Sequence, residues 1–425
     1  MTGRSETEPP TRAPERRPRT WPIAAGALVS AVLTWAIQAL AFRSLGPASY
    51  AGFMVVWGAV FFQVGVLFGL QQEVTRSVAS AGGAPGGSRS TVPVWRSPVL
   101  LLGLLLGAGG AAVLIAFSGL YGARVFGDDW VPIVMAVAVA WLLYALFNAV
   151  NGALAGARHW GWLGVSMTVE GTLRFVVLLV LLVAGAGLAG LSFGLAAAGL
   201  TWLLLMVWSG PRDTLRLPLD RRLRALARSS CQAMVATAAA AILLSGYPVL
   251  LSVTAHGPLP PEAGAVIATV VATRAPLLLP LNAFQTVILT RFVAAGRHVL
   301  RPLGAILALV ASVTVVGFVV GALLGPWALT ILYGADYTIE GWLVGALVIG
   351  AGTLAMLSVT GVAALALERH ALFAVGWVVA AAVATVLLAT DMPVGTRTAW
   401  ALAAGPVAGA LVHMIGVRQG PRTAR

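Results

Sequence analysis

Runs of about 20 apolar residues recur along nearly the whole chain, and this feature limits its possible folds more than any other. Only 10% of the residues are charged and 59% are hydrophobic, which excludes soluble enzymes and DNA-binding proteins. Twelve runs are long enough to cross a membrane. They lie at about 21–42, 50–72, 98–121, 130–155, 162–185, 188–209, 230–255, 264–290, 302–332, 341–367, 371–390 and 398–417.

These spans are predicted to be helices, because they are rich in Ala and Gly and lack the alternating pattern of a membrane barrel. The expected fold class is therefore an all-α integral membrane protein. The polar, Pro- and Arg-rich residues 1–20 are typical of a disordered tail. A cleavable signal peptide ending near Ala39–Ala41 is an alternative, but the apolar run is longer than such peptides need.

All basic residues are arginines, and their distribution predicts the orientation of the chain in the plasma membrane. Only Arg43, Arg124 and Arg397 fall in loops on one side. Arg174 and Arg274 lie within spans, and all other arginines lie in the tails and the loops of the opposite side. Both termini are therefore expected in the cytoplasm. The net charge of +13 then reflects topology and contact with anionic lipids, so no nucleic-acid partner is expected.

An internal repeat divides the chain into two halves. The sequence Leu-Tyr-Gly-Ala occurs at 120–123 and again at 332–335, and Ala153–His159 matches Ala364–His370 at nearly the same separation. Because each half holds six spans, the repeat is parallel, with an axis along the membrane normal. The expected divisions are a tail at 1–20, a lobe at 21–209, an Arg-rich linker at 210–229, a second lobe at 230–417 and a tail at 418–425.

Two lobes related in this way can rock about a central cavity, as in many secondary transporters. A major facilitator would carry a basic motif with an acid between its second and third spans. The corresponding segment here, 76–89, contains no acid.

Short motifs follow the first two spans: Leu-Gly-Pro-Ala-Ser-Tyr at 45–50 and Gly-Leu-Gln-Gln-Glu-Val-Thr-Arg at 69–76. With Gly-Ala-Leu-Ala-Gly-Ala-Arg at 152–158 and Glu-Gly-Thr-Leu-Arg at 170–174, they resemble the polysaccharide flippases of the multidrug/oligosaccharidyl-lipid/polysaccharide exporter superfamily. The resemblance covers the N-terminal half well and the C-terminal half mainly through the repeat. It implies transport of a lipid-linked oligosaccharide or polysaccharide precursor from the inner to the outer leaflet.

A polyprenyl-pyrophosphate glycan needs cations and hydrogen-bond donors inside a cavity. Arg174 and Arg274, one in each half, lie near the predicted membrane midplane, where an arginine is costly unless it faces a cavity or a partner. Glu170 precedes Arg174 by one helical turn, so a structural ion pair is an alternative. Glu170 is also a hypothetical proton or cation site. The remaining candidate substrate-binding residues are the amides Gln38, Asn148, Asn282 and Gln285, for which interhelical hydrogen bonding is the alternative.

No catalytic, cofactor or metal constellation is present in the sequence, so a non-enzymatic transporter is expected. A membrane glycosyltransferase would need larger outer loops. A cation-coupled drug exporter, a major-facilitator-like transporter and a non-transporting scaffold of glycan assembly stay open as alternatives. Glycosyltransferases or a polymerase of the same pathway are the expected protein partners.

Overall fold

The computed structural model describes residues 21–81, 93–255 and 257–419, so the predicted tail at 1–20 lies outside the described residues. The described residues form 15 α-helices and three short 3₁₀ turns, and no strand. The helices are α1 Trp21–Ser80, α2 Pro98–Ala116, α3 Ser118–Phe126, α4 Trp130–Gly156, α5 Trp160–Val183, α6 Leu188–Ala197, α7 Thr201–Leu205, α8 Ser209–Thr214, α9 Leu223–Leu244, α10 Tyr247–Thr254, α11 Glu262–Ala295, α12 Leu300–Tyr333, α13 Gly341–Ala366, α14 His370–Leu388 and α15 Val394–Arg418.

Helix α1 contains two membrane spans. Its 60 residues are interrupted at Gly46, whose φ of 71° is left-handed, and Pro47 then begins the second half. Ten further candidate spans are present among the described residues, with α6 and α7 acting as one, so the chain crosses the membrane about twelve times. The predicted all-α membrane fold is confirmed. The third predicted span is wrong at its end, because α2 stops at Ala116 and α3 is a separate helix.

The two halves repeat the same local structure. Two residues beyond the end of both α4 and α13 the backbone φ is positive, 59° at Arg158 and 60° at Glu368. The next residue in each half, His159 and Arg369, donates its backbone N–H to the carbonyl five residues back, which closes the helix end. The repeat is therefore present, but the structure pairs Arg158 with Glu368, one residue out of step with the sequence match to Arg369.

The two membrane faces of the protein are named from the course of α1. The proximal face is the one on which α1 begins at Trp21 and ends at Ser80, and the distal face contains the break at Gly46. All three arginines that the sequence placed in distal loops lie inside helices instead, and Arg124 is part of the short helix α3. Arg43 belongs to α1, and Arg397 lies in the first turn of α15, where it is buried and donates to the carbonyl of Leu388.

The segment that connects the two halves is anchored to the first half on the proximal face. The hydroxyl of Ser97 donates to the carbonyl of Leu215, 2.7 Å away. Asp220 accepts a hydrogen bond from Ser77 at 2.5 Å and lies 3.5 Å from the guanidinium of Arg76. Residues 215–220 therefore pack as part of the first half, and the chain leaves it at Arg221.

Candidate functional site

A cavity of about 760 Å³ lies between the two halves. Helices α1, α4 and α5 form one wall, and α9, α10 and α11 form the other. The charged side chains that line it, among the described residues, are Glu170, Arg174 and Arg274. Five of the seven predicted substrate-binding residues line this one cavity: Gln38, Asn148, Glu170, Arg174 and Arg274.

Polar residues reach the cavity because they recur at helical spacing within apolar helices. On α1 they follow one another every four residues, and on α4 they are four and three residues apart, so each set shares a face. The two stripes are Ser30, Thr34 and Gln38 on α1, and Tyr144, Asn148 and Asn151 on α4. Ser30, Thr34 and Tyr144 were not predicted from the sequence, although this periodicity would have identified them.

Arg174 is 3% exposed and has its charge balanced. It forms an ion pair with Glu170 one turn earlier on α5, and it donates to Thr34 at 2.7 Å and to Ser30 at 3.3 Å. The same carboxylate oxygen of Glu170 accepts a hydrogen bond of 2.8 Å from the hydroxyl of Tyr144. The network joins three helices of the first half, and the ion pair proposed from the sequence is present.

An aromatic pair beside Arg174 adds a flat apolar surface to the cavity. The rings of Trp57 and Phe61 stack with centroids 4.8 Å apart at an interplanar angle of 14°. The guanidinium of Arg174 lies 5.7 Å from the first centroid and 5.0 Å from the second, within the range of cation–π attraction. Both rings line the cavity, and neither was predicted from the sequence to do so.

Arg274 lies on the opposite wall and has no acidic partner among the described residues. It donates to the carbonyls of Leu243 and Leu244, each 3.1 Å away, at the end of α9. Its guanidinium also lies 5.8 Å from the ring of Tyr247. Since the pair of Arg174 and Glu170 is neutral, Arg274 gives the cavity an excess of one positive charge.

The amides predicted to bind substrate are placed differently from one another. Gln38 is buried, and its side-chain oxygen has no hydrogen-bond partner among the described residues. Asn148 donates to the carbonyl of Tyr144 within its own helix. Gln285 is exposed on α11 and is not part of the cavity lining, because the lining of that helix stops at Leu279. The side chain of Asn282 lies outside the described residues.

The distal end of the cavity is closed by contacts that join the two halves; we call these contacts the distal seal. Phe42 packs its ring 5.2 Å from that of Tyr333 and 5.5 Å from that of Tyr337. Arg43 donates to the carbonyl of Leu332 at 2.9 Å and to that of Ile331.

A second set of distal contacts lies between α3 and α10. Ser252 donates to the carbonyl of Val125 at 2.8 Å, and Arg124 donates to that of Val253 at 3.1 Å. The distal seal therefore has two parts: α1 against α12 and the loop that follows it, and α3 against α10.

The proximal end of the cavity is open on one side. The second half of α1 packs closely on α9, where a Cβ on Gly69 would lie 2.5 Å from the backbone of Ala233. The first half of α1 leans instead on α5, and it is separated from α11 by an apolar gap. The residues of this gap are Leu28, Ala31, Val32 and Trp35 on α1, and Ala275, Pro276, Leu279 and Pro280 on α11.

Two relatives match the chain over nearly its full length. The uncharacterized protein Rv1510 of Mycobacterium tuberculosis is 34% identical over 424 residues, covering 99% of this chain and 96% of the relative. The uncharacterized protein Rv3630 of the same organism is 33% identical over 397 residues, covering 92% and 90%. The chain belongs to the family of these two proteins. No protein-family model matches it.

Solved structures of MOP superfamily transporters have a fold similar to that of this protein. An inward-facing multidrug resistance MATE family transporter aligns with a TM-score of 0.69 at 15% identity, covering 95% of this chain and 99% of that one. A MOP superfamily transporter from Pyrococcus furiosus, described as having a binding pocket of reverse polarity, aligns at 0.65 and 15% identity over 94% of both chains. The two-lobe arrangement of this multi-pass membrane protein is thus that of the MOP superfamily.

Proposed function

We propose that the protein is an alternating-access transporter that moves an anionic lipid-linked saccharide precursor from the cytoplasmic to the outer leaflet. The observation that carries the proposal is a positively charged cavity, closed by the distal seal and open sideways between α1 and α11. Opening of that seal, with closure of the proximal end, would expose the same cavity to the other side.

The cavity offers a separate surface for each part of such a substrate. The unbalanced guanidinium of Arg274 suits a phosphate group. The stacked rings of Trp57 and Phe61, with the free amide oxygen of Gln38, suit a sugar. The apolar gap beside the cavity would let the lipid tail stay in the bilayer while the head group enters.

The direction of transport rests on the arginine distribution. The proximal face carries most of the arginines and would be cytoplasmic, with both termini there and the protein in the plasma membrane. Anionic lipids would contact the arginines of residues 212–228. Glycosyltransferases or a polymerase would supply or consume the cargo, and the protein itself would carry out no chemical step.

The test is flipping of a fluorescent polyprenyl-pyrophosphate sugar in proteoliposomes. We expect Arg274→Ala to slow flipping at least about tenfold, because the substrate loses a charge-assisted contact. Arg291→Ala, which removes an exposed arginine from the same helix outside the cavity, is the matched control and should flip at the wild-type rate. Absence of flipping by the wild type, or normal flipping by Arg274→Ala, would contradict the proposal.

Export of a cationic drug is a second candidate, favoured by the carboxylate of Glu170 and the aromatic surface beside it. Two solved structures with this fold are described as multidrug resistance MATE family transporters. Efflux of ethidium that depends on Glu170 but not on Arg274 would favour this candidate over the flippase.

A further inference from the structure

The seventh span is broken in the wall of the cavity. Helix α9 ends at Leu244 and α10 begins at Tyr247, while Ser245 and Gly246 both donate their N–H groups back to the carbonyl of Ala241. Pro248 has no N–H, so it cannot donate to the carbonyl of Leu244 four residues before it. The last carbonyls of α9 therefore need donors from elsewhere.

Arg274 on α11 supplies these donors. Its Nη1 atom lies 3.1 Å from the carbonyl oxygens of both Leu243 and Leu244. The ring of Tyr247, the first residue after the break, lies under the guanidinium, and its hydroxyl is fixed by a hydrogen bond of 2.9 Å to Thr398. Two carbonyls of the broken span thus hold Nη1 of the guanidinium, and the charge lies over the ring of Tyr247.

The other edge of the guanidinium is free to bind a ligand. Nε and Nη2 of Arg274 make no hydrogen bond with any residue that the structure describes, and the side chain lines the cavity. Two parallel N–H groups on one edge match the geometry of a carboxylate or phosphate. An arginine already held in place loses less freedom when it binds an anion than a mobile one does.

We propose that Pro248 is a positioning residue for anion binding: the break it makes in the seventh span holds Arg274 with its free edge toward the cavity. This inference rests on the proposed function, because it assigns the anion-binding group of the same site. Pro248 does not touch the substrate itself: it acts through the carbonyl of Leu244, which it leaves without its helical donor and which Arg274 then binds.

Binding of farnesyl pyrophosphate to the purified full-length protein in detergent tests the inference. We expect Pro248→Ala to weaken binding by about three- to tenfold, because a restored N–H at 248 competes with the guanidinium for the carbonyl of Leu244. Pro326→Ala, at a proline inside α12 that lines neither the cavity nor the apolar gap, is the matched control and should bind within about twofold of the wild type. Arg274→Ala should lose more affinity than either.

The outcomes separate this inference from the proposed function. Equal affinity of Pro248→Ala and Pro326→Ala, with weak binding by Arg274→Ala, would overturn the positioning role and leave the anion site in place. No binding of farnesyl pyrophosphate by the wild type would count against the anion site itself.

Amide hydrogen exchange over residues 241–250 tests the positioning contact without any ligand. Arg274→Ala should speed exchange at the end of α9 about tenfold or more, since its last turn loses a charged cap. The same change in a Pro248→Ala background should have a smaller effect, because the backbone then supplies a donor. An unchanged exchange rate in Arg274→Ala, or equal effects in both backgrounds, would overturn the inference.

Discussion

Replacing Arg174 by Met should destabilise the first half strongly, whereas replacing Arg174 and Glu170 together should not. The single change leaves the carboxylate of Glu170, only 10% exposed, without its ion pair, and leaves Thr34 and Ser30 without their donor. Loss of one partner of a buried pair typically costs about 3–5 kcal/mol. Removal of both charges, in Arg174→Met with Glu170→Gln, should cost about 1–2 kcal/mol, because an amide at 170 can still accept from Tyr144.

Unfolding by SDS in mixed micelles, followed by tryptophan fluorescence, measures the four proteins of this double-mutant cycle. Glu170→Gln alone should cost about as much as Arg174→Met, because it leaves the buried guanidinium without its ion pair. The double change should therefore cost at least about 4 kcal/mol less than the sum of the two single changes. Additive effects of the two substitutions would refute the reasoning, because they would mean that each charge is solvated independently of the other. The two effects would be additive if Arg174 stabilised the protein only through its contact with the ring of Trp57.

Three further outcomes are expected. Arg43→Ala should weaken the distal seal and increase labelling of a cysteine at Met54 by a membrane-impermeant maleimide added from the distal face, in a protein lacking its native cysteine. Gly264→Leu should have the same effect, since even a Cβ there overlaps the backbone at the α1 break; unchanged labelling would contradict either one. The hydrogen bond from Ser77 holds the pKa of Asp220 below its ordinary value, so its stabilisation is present at neutral pH and lost as pH falls below about 4. Ser77→Ala should reduce that acid-dependent loss of thermal stability, and an unaltered pH profile would show that the contact contributes nothing.

Hydrophobic run length was sufficient to predict the number of spans, and the internal sequence repeat predicted the two lobes. Run length is informative because every residue of a span experiences the cost of placing polar groups in a membrane. The exact helix ends were less predictable. The separate helix α3 and the one-residue shift between Arg158 and Arg369 follow from local backbone hydrogen bonds that hydropathy does not record.

For the site, the sequence was most informative about charged residues. Arg174, Glu170 and Arg274 were predictable because an ionised group within a span needs a cavity or a partner. The orientation of Gln285 away from the cavity was not, since it depends on where α11 separates from α1. The bond between Arg274 and the end of α9 joins residues about 30 positions apart in sequence, and no local pattern indicates it.

The anchoring of residues 215–220 to the first half has a practical consequence for the chain as a polymer. Ser97 and Ser77 fix the connecting segment as far as Asp220. Only the short stretch from Arg221 to the start of α9 then links the halves without being fixed by these two residues. A cut in the gene at this point would yield two polypeptides, each ending or beginning at an ordered element. Expressed together, they should reassemble through the α1–α9 contact, and each half could then be labelled with isotopes or fluorophores separately.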